Sequence, residues 1–268
     1  MRISSIFVAA AIFAGVLGPL ASAPAMALDV TKMQAEEKAS RPNFWLRFFS
    51  ARKQGQEQEA VNTLEYAAEQ GDHAAQWKLG KMYQTGDGVE KDPAAAIRYY
   101  SQIVDNYSDA QPGSADWQFA GNALVALGRY HRDGVPDAEL EADAGEALIM
   151  FTTAATYFDH PEAQYELARM YLDGENPQGD IIQAARMLKS ASASGHVGAQ
   201  ALLGNLLFEG LHLHRDPVRG LSMMMAAKNN AAAEDISWIA TMQEEAFALA
   251  SEDERRQAVL MTSEQPTQ

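Results

Sequence analysis

The 268-residue chain contains no cysteine, and it has few basic residues. The first absence excludes disulfide frameworks, CxxC redox sites and thiolate metal sites. Basic residues are also outnumbered by acidic ones, because 21 Lys and Arg compare with 36 Asp and Glu, which gives a formal net charge of -15. A nucleic-acid surface needs a cationic footprint and anionic lipid attracts basic segments, so the charge argues against both. An acidic surface keeps a protein soluble and attracts basic partners.

Long apolar runs are absent beyond the N-terminus. The start of the chain combines Arg2, an apolar stretch over 6–20 and an Ala-Met-Ala sequence at 25–27. This order is typical of a secretory signal peptide, and the stretch is short for a membrane span. We expect cleavage of residues 1–27, a mature chain of residues 28–268 without membrane insertion, and a periplasmic location.

Catalytic signatures are also missing. The sequence contains no G-x-S-x-G, Walker A, H-E-x-x-H or dinucleotide-binding pattern, and its carboxylates are scattered. His212 and His214 could offer two ligands to a metal, but no cysteine accompanies them, and a solvated turn is the favoured interpretation. We therefore predict no catalytic residue, no metal site and no cofactor.

The strongest positive signal is an internal repeat. A leucine is followed by a glycine seven residues later four times, and a small residue follows each leucine. Such self-similarity is the signature of a repeat architecture, with one hairpin per unit. The leucine and glycine pairs are Leu79 and Gly86, Leu127 and Gly134, Leu167 and Gly174, and Leu203 and Gly210.

A second helix follows each glycine. An aspartate positioned to accept the free N–H groups of a first helical turn begins it, and Pro93 and Pro217 suit the first helical position. Positions 4, 5, 8 and 11 after the aspartate stay small or apolar, as one face of a helix does. The aspartates are Asp92, Asp143, Asp180 and Asp216.

Each unit is thus a first helix, a glycine turn and a second helix. The pattern predicts a degenerate first hairpin over about 42–71, a last capping helix over 231–250, and a polar tail from 251 to 268 that frays. Turn-forming residues over 106–116 predict an exposed loop between repeats.

The segment from Ala75 to Asp92 reads Ala-Gln-x-x-Leu-Gly-x-x-Tyr-x-x-Gly-x-Gly-Val-x-x-Asp and resembles the Sel1-like repeat. The resemblance extends over about 42–231, with Leu124 and His131 as departures in the second unit. It implies an all-α, right-handed solenoid of antiparallel helix pairs, similar to tetratricopeptide repeats, whose role is to bind other proteins.

The signal peptide, the cysteine-free chain, the repeat number and the length also resemble one branch of that family. These are periplasmic regulators that restrain a membrane sensor kinase controlling exopolysaccharide. The resemblance implies a sensor kinase periplasmic domain as partner, an effect on exopolysaccharide and motility, and release by proteolysis or a pH change. A generic envelope scaffold is the alternative, and an enzyme acting on cell-wall or β-lactam substrates is a third reading.

The first helices line the concave face of helix-pair solenoids. Two residues after each leucine, a mostly cationic row could grip an acidic peptide, because arginine pairs well with carboxylates. The alternative is that these side chains form solvated salt bridges, and that the neighbouring aromatic residues Trp77 and Tyr165 pack between repeats. We expect that reversing the charge of both Arg129 and Arg169 would abolish binding and leave the fold intact. The predicted partner-binding residues are Trp77, Lys81, Arg129, Tyr165, Arg169 and Asn205.

The aromatic segment 44–49 is a second candidate surface. Its five large apolar side chains exceed what one helix face can bury, so that some could form an exposed patch. The favoured interpretation is that they seal the end of the solenoid, because terminal repeats need a closed face.

Overall fold

A computed structural model describes residues 44–107, 110–174, 181–210, 213–233 and 235–263. The predicted signal peptide lies outside these residues. The described part contains twelve α-helices and no strand of a sheet. The helices are α1 (44–53), α2 (Glu57–Glu69), α3 (His73–Thr85), α4 (Pro93–Asp105), α5 (Ala115–Asp133), α6 (Ala144–Thr156), α7 (Pro161–Leu172), α8 (Ile181–Ala193), α9 (Val197–Glu209), α10 (Pro217–Asn230), α11 (Ile236–Leu249) and α12 (Glu252–Ser263).

The helices stack as successive pairs, which confirms the predicted all-α solenoid. The four predicted repeat units are the pairs α3 with α4, α5 with α6, α7 with α8, and α9 with α10, and the helices of each pair pack on one another. The degenerate first hairpin is α1 with α2. Each first helix also packs against the second helix of the pair before it, so that the chain forms one continuous stack.

Aspartate caps begin the second helices, as predicted. The side chains of Asp92, Asp143 and Asp216 accept the backbone N–H of the residue three positions later, at 3.0–3.1 Å. These bonds satisfy N–H groups that have no partner inside the helix. Asp180 lies outside the described residues.

Two of the turn glycines end their helices in the left-handed conformation. Gly86 has φ 78° and ψ 24°, and Gly210 has φ 74° and ψ 21°, a region that side chains with a Cβ rarely adopt. Gly134 differs, with φ 67° and ψ 162°. Its loop carries three extra residues, and the chain extends there into an antiparallel bridge between Val135 and Leu140. The turn glycine of the second unit therefore does not form the left-handed helix stop seen at Gly86 and Gly210.

The core follows the repeat columns. The side chains 4, 8 and 11 positions after each aspartate are buried in all four second helices. The small residue after each leucine lies against them: a Cβ at Gly80 would fall 2.5 Å from the Tyr100 ring, and one at Gly128 would fall 2.7 Å from the Phe151 ring. The third unit has Ala168 at this position and the smaller Leu188 opposite it, which keeps the combined volume nearly constant.

Two segments differ from their prediction. The predicted loop 106–116 is shorter, because Ser114 caps α5 and residues 115 and 116 are already helical. The tail from residue 251 does not fray throughout, because α12 packs on α10. Ala258 is fully buried there, and the Thr262 hydroxyl donates to Ser222 Oγ at 3.1 Å. Thr262 and Ala258 are four residues apart, so one face of an otherwise polar helix has enough contact to order it.

The aromatic segment 44–49 is partly buried in the first hairpin and partly exposed, so each of the two interpretations holds for some of its residues. Phe48 is 2% exposed and packs into the first hairpin, with Phe44 and Trp45 partly buried beside it. Leu46 and Phe49 are 68% and 61% exposed. One helix cannot turn all five apolar side chains to the same side, so it seals the hairpin and leaves two of them in solvent.

Candidate partner-binding surface

The predicted row lies on four consecutive first helices. Lys81 is on α3, Arg129 on α5, Arg169 on α7 and Asn205 on α9, at the same position of each repeat. All four side chains are at least partly exposed, since the face opposite them is the one packed into the core. The row is therefore continuous in position, but its members differ in what they contact.

Arg129 and Arg132 are ion-paired across the junction between α5 and α7. Arg129 donates from Nε to Glu166 Oε1 at 2.6 Å, and its other end pairs with Glu162. Arg132 donates from Nη1 to Glu166 Oε2 at 2.7 Å. These charge-assisted bonds join side chains 33–37 residues apart in sequence, so they tie two repeats together.

Glu166 is the centre of this cluster. It is 2% exposed, and its two carboxylate oxygens are shared by Arg129, Arg132 and Arg169, the last at 3.5 Å. A buried carboxylate is stable only when cations and donors replace the water that it has lost. Three partly exposed guanidinium groups meet that need, and they are at the same time no longer free to bind an outside carboxylate.

The cluster continues into α9 through Glu162. His196 Nε2 lies 2.9 Å from Glu162 Oε2, while His196 Nδ1 accepts the backbone N–H of Ala199 and caps the helix. Burial opposes the ionisation of Glu162, but the His196 hydrogen bond and the Arg129 charge outweigh it and lower the pKa of Glu162 to about 2. We call Arg129, Arg132, Glu162, Glu166, Arg169 and His196 the ionic junction.

The two predicted aromatic residues pack between repeats. Tyr165 stacks on the His196 ring at 4.4 Å, and the Arg169 guanidinium lies 5.8 Å from the centre of the Tyr165 ring. Trp77 packs on Tyr100 at 5.1 Å and faces Phe119 at 6.5 Å. Both rings are partly buried, as the alternative of inter-repeat packing supposed, so that each offers only part of its surface to a partner.

The two ends of the row differ from its middle. Lys81 is exposed, and among the described residues its ammonium group bonds only Gln84 of its own helix, at 3.1 Å. Asn205 donates to Glu209 at 3.0 Å and lines a groove of about 540 Å³ between α9 and α11. The row thus has a free cation at one end, neutralised arginines in the middle and an acidic groove at the other end.

The ion pairs of Arg129 change one expectation about the row. Replacing Arg129 with glutamate would place a third carboxylate against Glu162 and Glu166 and leave Glu166 with too few cations. Such a change destabilises the junction itself, so we now expect the double charge reversal to weaken the fold as well as any binding. Arg169 is the milder site, since its 3.5 Å contact with Glu166 is the longest in the cluster.

The residues missed from the sequence are Glu162, Glu166, Arg132 and His196. A signal existed, because Glu162 and Glu166 are four residues apart on α7, and Arg129 and Arg132 are three apart on α5. Each pair occupies one face of its helix. What could not be read is that adjacent repeats bring these two faces together.

The described residues hold no group of three or more His, Asp or Glu side chains that could bind a metal ion. Of the predicted pair, His214 is exposed in the turn before α10, and His212 is not among the described residues. In the same ranges no helix is long and apolar enough to cross a membrane.

The stacked pairs define a helix-pair solenoid, a class of protein that presents an extended surface along its repeats. The Sel1 repeat family model matches residues 73–106, 121–156, 161–196 and 197–224, which are the four predicted units. The chain belongs to the Sel1 repeat family.

Two relatives match nearly the whole chain. An exopolysaccharide production negative regulator of Rhizobium meliloti (strain 1021) is 38% identical over 247 residues, covering 92% of this chain and 89% of its own length. A protein of the same name from Rhizobium leguminosarum bv. viciae is 38% identical over 242 residues, covering 90% and 88%.

A crystal structure supports the fold. The Sel1 repeat protein from Oxalobacter formigenes superposes with a TM-score of 0.57 over 77% of this chain and 79% of its own, at 21% identity. At that identity the likeness concerns the fold alone.

Proposed function

We propose that this protein is a periplasmic negative regulator of exopolysaccharide production that binds the outer domain of a membrane sensor kinase and restrains its signalling. The observation that carries the proposal is the 38% identity to two exopolysaccharide production negative regulators, which extends over at least 90% of this chain rather than over one repeat. A match of that extent spans all four repeats.

The geometry favours binding over catalysis. The exposed row on the first helices crosses four repeats, and the ionic junction holds α5, α7 and α9 together. A scaffold held in this way presents its surface with little ordering cost when a partner binds. The carboxylates of the junction are saturated with cations, an arrangement that supports structure and not proton transfer.

The kinase partner, the effect on motility and the periplasmic location rest on the family resemblance and on the N-terminal sequence. The solenoid requires only that some protein segment is held. A sensor kinase places its outer domain in the same compartment as an exported regulator, so contact between them requires no further carrier.

A deletion strain tests the proposal. We expect loss of the protein to raise exopolysaccharide output and reduce motility, and we expect a tagged copy crosslinked in living cells to carry a sensor kinase with it. Altered cell shape with unchanged exopolysaccharide, and wall-synthesis or secretion proteins as the crosslinked partners, would instead support the envelope-scaffold alternative.

A further inference from the structure

The groove between α9 and α11 is built from one face of each helix. On α9 its wall is Asn205 and Glu209, four residues apart. On α11 the lining residues include Trp238, Met242 and Glu245, at the helical spacing of four and then three residues. The groove is open to solvent, and its volume of about 540 Å³ suits a few side chains of a partner.

The floor of the groove is apolar and fixed. Trp238 and Met242 are partly buried, and Trp238 packs against the core cluster around Ile239. The indole Nε1 of Trp238 donates to Asp235 Oδ1 at 3.0 Å, which holds the ring in place. Tryptophan and methionine are enriched at protein interfaces, because they offer large contact areas.

The rim of the groove is acidic and lacks a cation. Glu209 and Glu245 are exposed, and neither forms an ion pair with any described residue. None of the described residues that line the groove is a Lys or Arg. The lysine on the neighbouring α10, Lys228, bonds Gln243 and Glu244 instead. In the ionic junction, by contrast, every carboxylate has an arginine or histidine.

We propose that this groove binds a basic segment of a partner protein in which a lysine or arginine stands beside an apolar side chain. The cation binds between Glu209 and Glu245, and the apolar side chain packs on Trp238 and Met242. The Asn205 side chain, at the edge, can bond the segment's backbone. This surface deepens the proposed function, since it names the chemistry of the partner segment that the solenoid holds.

The charge of the whole molecule supports this occupant. The net charge of -15 draws basic segments toward the protein, and the groove is where that attraction meets an apolar floor. An acidic segment, which the arginine row suggested from the sequence, would meet two unpaired carboxylates here.

A peptide titration of the full chain tests the groove. The probes are two synthetic eight-residue peptides, one alternating lysine with leucine and one alternating glutamate with leucine, and the readout is the NMR signal of the Trp238 indole N–H. We expect the lysine peptide alone to shift this signal. We expect Glu209→Gln combined with Glu245→Gln to weaken that binding at least tenfold.

A matched control separates the groove from general attraction. Glu59→Gln combined with Glu141→Gln removes the same two charges at exposed sites outside the groove, and it should leave the affinity within about twofold. An unshifted Trp238 signal, or equal weakening by both double variants, overturns the proposal. The proposed function is tested separately, by returning the wild-type gene to the deletion strain. If exopolysaccharide control is restored, the proposed function stands even when the groove proposal fails. If it is not restored, the proposed function is overturned.

Discussion

The ionic junction and the α9–α11 groove lie on the same series of first helices, and both contain glutamates. The glutamates of the two regions differ in burial and in ion pairing. Glu166 is buried and shared by three arginines, whereas Glu209 and Glu245 are exposed and unpaired with any cation of the described residues. A buried ionised carboxylate without cations is costly, whereas an exposed carboxylate is solvated by water. The difference shows which surface is internal support and which remains available to a partner.

The largest expected effect is at the centre of the junction. Glu166→Gln removes the negative charge that three guanidinium groups share, and we expect the free energy of unfolding to fall by about 3 kcal/mol, less than for a fully buried pair because the arginines are partly exposed. Urea denaturation measures it. Glu245→Gln is the matched control, with an expected change within about 0.5 kcal/mol. Equal losses in the two variants would erase the distinction between the regions.

The second effect compares how the helix pairs of the two regions are packed. A Cβ at Gly204, beside the groove, would fall 2.8 Å from the backbone oxygen of Gly220, whereas one at Gly128, the residue before Arg129 of the junction, would meet the Phe151 ring. A ring can tilt and a backbone cannot, so we expect Gly204→Ala to cost about 2–3 kcal/mol and Gly128→Ala about 1–2 kcal/mol. Thermal denaturation of the two variants checks the order.

The third repeat suggests a compensating change for Gly128→Ala. The third repeat pairs Ala168 with Leu188, so adding Phe151→Leu to Gly128→Ala should recover part of the lost stability. A double-mutant cycle measures that coupling, for which we expect about 0.5–1 kcal/mol. Strictly additive losses would show that the ring is not what the extra methyl group meets.

The third effect is the pH dependence that Glu162 of the junction contributes. A carboxyl group whose pKa falls from 4.5 to about 2 on folding adds stability above pH 4.5, and that stability is lost as the pH falls from 4.5 toward 2. Because Glu162 is about one-third exposed, we expect a loss of about 1–2 kcal/mol. Urea midpoints over this pH range measure it, and Glu162→Gln should flatten the curve while Glu245→Gln should not.

The smallest effect on stability is at the free end of the row. Lys81→Glu changes an exposed side chain that bonds only its own helix, so the free energy of unfolding should move by less than about 0.5 kcal/mol. Affinity for the crosslinked partner is the informative measurement. A tenfold loss would extend the binding surface to α3, and an unchanged affinity would confine it to the C-terminal half.

Much of the fold could be predicted because the same residue pattern, and with it the same packing contact, occurs in four repeat units. The column eight residues after each aspartate, which contains Tyr100, Phe151, Leu188 and Met224, is buried as the helical spacing predicts. The caps at Asp92, Asp143 and Asp216 lie at the predicted positions. Where the pattern is interrupted the prediction was weaker. The extra residues after Gly134 change its backbone, and the polar tail forms α12 because Ala258 and Thr262 find partners on α10.

The sequence predicted the positions of the candidate surface residues but not which of them form ion pairs. The row of Lys81, Arg129, Arg169 and Asn205 follows from helical periodicity, which depends only on the local chain. Whether Arg129 is free depends on Glu162 and Glu166, more than 30 residues away, which the α5–α7 contact brings within 3 Å.

The sequence by itself determined that this is a chain of helix pairs, since spacing, caps and turn glycines are local properties that repeat. It also determined the excess of acid over base and the absence of thiol chemistry. Only the tertiary structure decided which charges neutralise one another, because ion pairing falls steeply with distance and distance across repeats is set by packing. That packing neutralises the arginines at the centre of the solenoid and leaves the glutamates beside α11 exposed.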